Sequence, residues 1–343
     1  MNGDRVSTLI GFLAAALVLW VVVSVIGVGD VVAAMRKADP RVLVLLLFVA
    51  AAWLACWGMS LHTVLGAVGA PVAPHRAIMV FSAAVFSNNV TPFGQAGGEP
   101  ISALMISSVA DSEYERGLAA IASVDTIHFV PSIGLATVGF GFVLLSAAQL
   151  TRNLIFAALA VVALALVVPV GAYVGWNHRY AIESAVLRVI APVVQGVTGL
   201  IPGREPPTRE SLAERIEGFF DAVSRVARDP KSLVTAMAYS ALGWLALATS
   251  LWLSLYAIGA TVPFPATLFV VPVGSIAGVT PLPGGTGSLE AAFIALLVPV
   301  AGVSASVATA AVFIHRGATY ILPTIVGGGF AAIIGTEHKR GER

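Results

Sequence analysis

The sequence predicts an all-α, polytopic membrane protein with about six full spans, two re-entrant helical hairpins and an inverted internal repeat. Three observations lead to this prediction: the composition, the lengths of the apolar segments and the recurrence of one pattern along the chain. Of the 343 residues, 58% are hydrophobic and only 11% are charged, whereas soluble proteins carry about 25% charged residues. A single integral membrane domain is therefore expected over 1–343.

The full spans are predicted from length. A hydrocarbon core about 30 Å thick requires roughly 20 apolar residues in each helix. Six segments meet this requirement, namely 6–28, 42–66, 117–146, 154–176, 233–258 and 304–335. The first of them is too long to be the core of a cleaved signal peptide, so we expect it to be a retained span.

Two further apolar segments, 77–110 and 266–299, are each interrupted near the middle by glycine and proline. The interruptions are Thr91–Pro100 and Thr280–Glu290. Each half is expected to be about 12–15 residues long, which is enough to enter a bilayer but too short to cross it. This pattern predicts two re-entrant hairpins with the broken sequence at their tips. The alternative is a pair of ordinary spans joined by a loop.

The repeat is visible when the chain is compared with itself at an offset near 190 residues. Four short matches follow one another in order, pairing Trp53 with Trp244, Leu65–Val72 with Leu255–Val262, Val90–Pro92 with Val279–Pro281, and Pro131 with Pro323. They define unit one, 41–146, and unit two, 232–335. Because the span 154–176 intervenes, the units are expected to be inverted relative to each other, as in many secondary transporters. A duplication retained only for packing is the alternative.

The distribution of basic residues predicts the orientation. With the N-terminus inside, fourteen Lys and Arg residues lie inside and four lie outside, so both termini are expected to be cytoplasmic. The segment 178–231 is then a cytoplasmic loop. It contains a predicted amphipathic helix, with Ser211 as the N-cap and Glu214 three residues later. Its apolar face is expected on the inner membrane surface and consists of Leu212, Ile216, Phe219, Phe220 and Val223.

Ionisable residues at membrane depth are costly and therefore indicate function. Six are expected there: Glu99, Asp125, His128, Glu290, His315 and Arg316. The two glutamates begin the returning half of each hairpin, where a carboxylate could also be a simple helix cap. Asp125 and Arg316 lie in the helices that follow the hairpins. Their opposite charges suggest an intramembrane pair or a relay with the glutamates, and a purely structural salt bridge is the alternative.

The hairpin tips predict a binding site for a charged head group. Exposed backbone amides at the tips, with Arg316, would suit a phosphate, and neutral donors are offered by Asn89, Thr91 and Thr280. The glutamates would suit a cationic group or a coupling proton, so a zwitterionic or phosphorylated lipid satisfies both. No nucleotide loop, nucleophile motif or metal-ligand spacing is recognisable, so no catalytic residue, metal, cofactor or nucleic-acid partner is expected.

Two motifs, Asn89–Pro100 and Thr280–Glu290, together with the hydropathy plan of nearly the whole chain, resemble the flippase-like transmembrane domain of the lysylphosphatidylglycerol synthases, the multiple peptide resistance factor family. The resemblance implies a lipid translocase of the cell membrane. The family's synthase domain has no counterpart here, so a stand-alone member is expected and lipid aminoacylation is not implied. The matching positions imply a site framework of Pro92, Gly97, Gly98, Glu99, Pro281, Gly284, Gly285, Gly287 and Glu290.

Several functional alternatives remain open at this stage. The lipid could be a phospholipid or a polyprenyl-phosphate carrier, and the latter would imply envelope glycan or lipid assembly proteins as partners. The chain could instead be a secondary transporter of a small polar solute. It could also be an intramembrane lipid-modifying enzyme with Glu99 or Glu290 as general base, but a transporter is favoured over an enzyme.

Overall fold

The computed structural model describes residues 28–91, 94–146, 208–278 and 280–341, with isolated positions between 159 and 188. Two of the predicted spans, 6–28 and 154–176, lie essentially outside the described residues. Within the described parts of the chain the structure is helical and contains no strand, which confirms the all-α prediction.

A short helix, α1 Val28–Met35, precedes unit one, which contains four longer helices. Their bounds are α2 Pro40–Ala67, α3 Pro74–Val90, α4 Gln95–Ala110 and α5 Tyr114–Ser146. The helix α2 begins after Asp39, whose carboxylate accepts a hydrogen bond from the Arg41 amide at 2.8 Å. Proline at the first helical position suits this start because it needs no backbone donor there.

Unit two repeats this plan after an intervening helix. The bounds are α6 Arg209–Arg228, α7 Pro230–Ala257, α8 Phe264–Ser275, α9 Ser288–Ala301, α10 Ala305–Arg316 and α11 Leu322–Gly341. The helix α7 begins as α2 does, with Asp229 as N-cap and Pro230 next. A π-helical turn, Gly317–Ile321, joins α10 to α11, so the last predicted span is one long helix with an irregular turn.

Both interrupted segments are helix pairs broken where the sequence predicts. The halves of the first hairpin, α3 and α4, have 17 and 16 residues and exceed the expected length, whereas α8 and α9 have 12 and 14. In the part of the chain that the structure describes, five helical segments are long and apolar enough to cross a membrane: Pro40–Ala67, Tyr114–Leu145, Pro230–Ala257, Pro283–Ala301 and Ala305–Gly335. The fourth is the returning half of hairpin two counted with its 3₁₀ turn, so this half reaches spanning length, contrary to the expectation.

The two units pack on each other in a symmetric pattern. The equivalent helices α2 and α7 lie side by side, α3 packs against α11, and α8 packs against α5. Glycines allow the last two approaches: a Cβ on Gly327 would lie 2.0 Å from the Ser82 carbonyl oxygen, and one on Gly139 would lie 2.6 Å from the Phe269 amide nitrogen. The last helix of each unit therefore packs against the first helix of the other unit's hairpin.

The predicted amphipathic helix is α6. Its N-cap is Thr208 rather than Ser211, because the Thr208 hydroxyl accepts the Ser211 amide hydrogen bond at 3.1 Å. The predicted apolar face is buried or half-buried and packs mainly against α5, where Arg215 pairs with Glu115 at 2.9 Å. At least part of this face is therefore covered by the protein's own helices.

Candidate functional site

The second hairpin tip is a tight turn built from glycines. Gly284, Gly285 and Gly287 have φ angles of 55°, 63° and 91°, a region that side-chain-bearing residues rarely occupy. The turn directs the chain into α9 and places Glu290 in its first turn. The Glu290 carboxylate accepts the Gly287 amide hydrogen bond at 2.5 Å, so this glutamate caps α9.

Glu290 also forms an ion pair with Arg316. The Arg316 Nε atom donates to Glu290 Oε1 at 2.6 Å, and its Nη2 atom donates to the Gly284 carbonyl oxygen at 3.1 Å. The guanidinium lies 4.6 Å from the ring centre of Tyr320. The side chains of Arg316 and Glu290 are only 14% and 4% exposed, so both charges are largely removed from solvent and compensate each other. Arg316 thereby ties the end of α10 to hairpin two.

The first hairpin tip brings two acidic residues together. Gly98 lies against the other arm, since a Cβ there would be 2.1 Å from the Asn88 side-chain oxygen. Glu99 follows in α4, and its carboxyl group is within hydrogen-bonding contact of the Asp125 carboxyl group on α5. The side chain of Gln95 also contacts Asp125.

The two pairs occupy equivalent positions in the two units. Glu290 follows Glu99 by 191 residues, and Arg316 follows Asp125 by the same 191 residues. In the structure, Asp125 and Arg316 each contact the glutamate of their own unit and do not pair with each other. Asp125 contacts the acidic side chain of Glu99, whereas Arg316 forms an ion pair with Glu290.

The tips of the two hairpins meet. A Cβ on Gly94 would lie 3.8 Å from the amide nitrogen of Gly284. Asn89, at the end of α3, is held by unit two from both sides: its side chain donates to Thr324 Oγ1 at 2.9 Å, and its carbonyl oxygen accepts from the Tyr320 hydroxyl at 3.0 Å. The contact between tips is therefore specific and involves residues of both units.

A cavity of about 320 Å³ lies between the units. Its charged and polar lining includes Gln95, Asp125, His128 and Arg316, and most of the remaining lining is aromatic or aliphatic. Two lining residues, Phe129 and Ile276, are 47% and 42% exposed. The cavity therefore has charged groups inside and apolar side chains where its wall reaches the outer surface.

An aromatic cluster supports the unit-one side of the cavity. The Trp57 ring stacks on His128 with centroids 4.1 Å apart and meets Trp244 edge-on at 5.4 Å. His128 Nδ1 hydrogen-bonds to Ser240 Oγ at 2.7 Å, and its carbonyl oxygen accepts from Trp244 Nε1 at 2.9 Å. These contacts bind α2, α5 and α7 together and fix the orientation of the imidazole.

The predicted site residues separate into three groups. Of the predicted site residues that the structure describes, Asp125 and Arg316 alone line the cavity, and Glu99 and Glu290 lie next to them as their partners. Most others form the tips: Asn89, Thr91, Gly97, Gly98, Thr280, Gly284, Gly285 and Gly287. Pro281 is exposed at the second tip, and Pro92 lies outside the described residues.

Three backbone amides of the second tip are already hydrogen-bonded within the protein. The Gly285 amide donates to the Leu282 carbonyl oxygen at 3.0 Å, and the Thr286 amide donates to Pro283 at 3.1 Å. The Gly287 amide is taken by Glu290. These three amides are therefore not available to the predicted phosphate site, which stays a prediction, and the Arg316 side chain is a cationic group at the cavity.

Tyr320, Thr324 and Trp57 are site-supporting residues that sequence reasoning did not single out. Tyr320 lies one turn after Arg316 on the same helical face, a spacing that could have indicated it. Trp57 lies one turn after the repeated Trp53. Within the described residues no three His, Cys, Asp or Glu side chains are grouped so that they could hold a metal ion.

The sequence of the chain is similar to those of a known family of membrane proteins. Residues 8–327 match the family described as "Lysylphosphatidylglycerol synthase TM region". A "UPF0104 membrane protein" of Methanothermobacter thermautotrophicus is 26% identical over 328 residues, covering 94% of this chain and 92% of that protein. A similarly named protein of Pyrococcus horikoshii is 22% identical over 326 residues, covering 93% and 94%.

Proposed function

Because the chain belongs to the lysylphosphatidylglycerol synthase transmembrane-region family, we propose that it is a lipid translocase rather than an enzyme. It moves a phospholipid or a polyprenyl-phosphate-type lipid between the leaflets of the cell membrane. The observation that carries this proposal is the cavity between the two units. Its inner wall is charged, its rim is apolar and exposed, and both hairpins contribute to it.

The lining suits the two ends of a lipid. A head group needs polar partners to replace its hydration, since a charged group at the bilayer centre costs about 3 kcal/mol or more. Asp125 and Arg316, which both line the cavity, offer one acidic and one basic side chain. The acyl or prenyl chains can remain in the bilayer beside Phe129 and Ile276. A lipid could therefore carry its head group through the protein while its tail stays in hydrocarbon.

The inverted arrangement of the units supports movement between two leaflets. If unit one, 41–146, and unit two, 232–335, are inverted copies, an opening to one leaflet has a mirror counterpart on the other. We propose cytoplasmic N- and C-termini on the basis of the basic residues. Proteins that assemble envelope lipids or glycans are the proposed partners.

The proposal is tested by reconstituting the purified protein into vesicles with fluorescent phospholipids and prenyl phosphates, followed by an impermeant quencher. Wild-type protein is expected to expose inner-leaflet label that empty vesicles protect. Glu99→Gln and Glu290→Gln should slow this exposure, because each removes one member of a pair behind the cavity.

Glu217→Gln is the matched control, since Glu217 is exposed on the polar face of α6. If wild-type vesicles protect every labelled lipid as well as empty vesicles do, the protein is not a lipid translocase. Uptake of a small polar solute by the same vesicles would then identify a solute transporter, and chemical modification of the lipid would identify an enzyme.

A further inference from the structure

The acidic pair of unit one has an unusual charge arrangement. Glu99 and Asp125 approach within hydrogen-bonding contact. Two ionised carboxylates are both acceptors and repel each other, so a direct contact between them requires a proton on one of them. A pair of half-buried carboxyl groups in this contact can therefore hold one proton and release it when the contact changes.

A second observation indicates that this region receives a ligand. His128 is only 6% exposed, and its Nε2 atom has no hydrogen-bond partner among the described residues. The Oδ2 atom of Asp125 is likewise buried without a partner there. The two residues lie one turn apart on the same face of α5 and line the same cavity. Buried polar atoms without partners are rare, and these two belong to residues that line one cavity.

Unit two shows what the missing partner would be. At the equivalent position Arg316 supplies a fixed positive charge to Glu290 at 2.6 Å. In unit one the same position is occupied by Asp125, and no ion pair between Glu99 and a basic side chain is present among the described residues. The cation that suits this pair is a proton, because two carboxyl groups in direct contact can share one between their oxygens.

We propose, building on the translocase function above, that the Glu99–Asp125 pair is a proton-binding site that couples lipid movement to the proton gradient. One proton enters through the cavity, binds a carboxyl oxygen and is shared between the two residues. It leaves to water on the other side when the units rearrange. No covalent bond is made or broken, and each cycle moves one proton.

Few other charges face this pair. The titratable or charged lining residues of the cavity, besides Asp125, are His128 on α5 with His315 and Arg316 on α10; α2, α7, α8 and α9 contribute only neutral lining side chains. The charge of Arg316 is already compensated by Glu290, so it does not serve as the counter-ion of unit one.

The remaining packed helices add little charge. The arm α3 presents the neutral Asn88 to α4, and the described side chains of α11 are uncharged. On α6, Arg215 pairs with Glu115, which precedes Asp125 by ten residues, or about 15 Å along α5. The proton on the acidic pair is therefore governed mainly by Glu99, Asp125 and access to the cavity.

The first test is independent of any lipid movement. Infrared spectroscopy of purified wild-type protein at pH 7 should show the carbonyl band of a protonated carboxyl group. Glu99→Gln and Asp125→Asn should each remove it, because one remaining carboxylate no longer needs to share a proton. Glu217→Gln should retain it. Absence of the band from the wild type, or its persistence in both variants, would overturn the proposal.

The second test uses vesicles with a pH difference of one unit and the membrane potential clamped at zero. If one proton moves with each lipid, the labelled lipid should accumulate in one leaflet by up to about tenfold, since one pH unit corresponds to about 1.4 kcal/mol. Asp125→Asn should abolish the asymmetry. A sodium gradient without a pH difference should produce none.

The two experiments separate the possible failures. Lipid movement with equal leaflet distributions at every pH difference, or asymmetry driven by sodium alone, would overturn the coupling while leaving the translocase function intact. If no lipid moves, the translocase function and the coupling both fail, and the infrared band alone then decides whether the pair binds a proton.

Discussion

The two units of this protein place the same glutamate behind the same cavity but give it different partners. In unit two, Glu290 meets a guanidinium, and the resulting ion pair joins the tip, α9 and α10. In unit one, Glu99 meets a second carboxyl group. An internal repeat thus offers a built-in comparison, in which one pair is complete without a ligand and the other requires a proton. The Glu290–Arg316 pair is suited to stabilise the structure, and the Glu99–Asp125 pair is suited to respond to its surroundings.

The largest expected effect comes from breaking the complete pair. Arg316→Met leaves Glu290 buried and uncompensated, which should cost about 3–5 kcal/mol of unfolding free energy. Asp125→Asn should cost much less, because an amide can still contact Glu99 without a second negative charge. Unfolding of both purified variants in denaturant measures the difference. Equal losses would show that the two pairs do not differ in kind.

The glycine contacts between units should have the next largest effect. Gly327→Ala and Gly139→Ala place a methyl group against the backbone of the partner hairpin, and overpacking of this kind costs about 1–3 kcal/mol. Gly329→Ala and Gly141→Ala are matched controls on the same helices, since no atom lies within 4 Å of their added carbon. Thermal unfolding should separate the two sets. A loss confined to one unit would contradict the symmetric packing.

The contact between tips should contribute less. Tyr320→Phe removes the hydroxyl that donates to the Asn89 carbonyl oxygen at 3.0 Å, a loss of about 0.5–1.5 kcal/mol. Tyr256→Phe is a suitable control because Tyr256 is 54% exposed. Unfolding in denaturant should show that the Tyr320→Phe protein is less stable than the Tyr256→Phe protein. A Tyr320→Phe protein as stable as the control would show that this hydrogen bond does not stabilise the joint.

The smallest expected change in stability concerns the aspartate N-cap with which α2 and α7 both begin. The hydroxyl and amide of Ser232 donate to the Asp229 carboxylate and hold its pKa below the usual value for aspartate. As the pH falls, the Asp229 carboxylate therefore takes up a proton at a higher pH in the unfolded chain than in the folded protein. Stability from the cap is present above about pH 4 and declines as pH falls through the lower folded-state pKa.

Stability measured between pH 3 and pH 6 checks this expectation. Wild-type protein should lose slightly more stability on acidification than Asp229→Asn, whereas the exposed Asp221→Asn variant should follow the wild type. An Asp229→Asn profile parallel to the wild type would contradict the assigned role of the cap.

The hairpin breaks and the ionisable residues could be predicted from the sequence because both violate the rule that membrane helices are continuous and uncharged. Glycine and proline mark the breaks near Thr91 and Thr280, and the structure confirms interrupted helices at both places. The close packing of Gly139 and Gly327 follows from the same reasoning, because small residues allow membrane helices to approach each other.

The choice of partners could not be predicted in the same way. Opposite charges on equivalent helices suggested either a pair between Asp125 and Arg316 or a relay with the glutamates, and a repeat carries no information about the distance between its copies that would decide between them. The contact of Tyr320 with Asn89 joins residues 231 positions apart and has no local signature. The cap at Thr208 was missed because Ser211 offered a capping box of equal local quality.

Blocking the cavity tests the translocase account most directly. Ser275 lines the cavity, is half-buried and lies beside the exposed rim residue Ile276, so Ser275→Trp should fill the path, whereas Val138→Trp adds the same ring to an exposed site on α5. In vesicles containing equal amounts of folded protein, Ser275→Trp is expected to stop leaflet exchange of the labelled lipid and Val138→Trp to leave it at the wild-type rate. Unchanged exchange through the filled cavity would contradict the account.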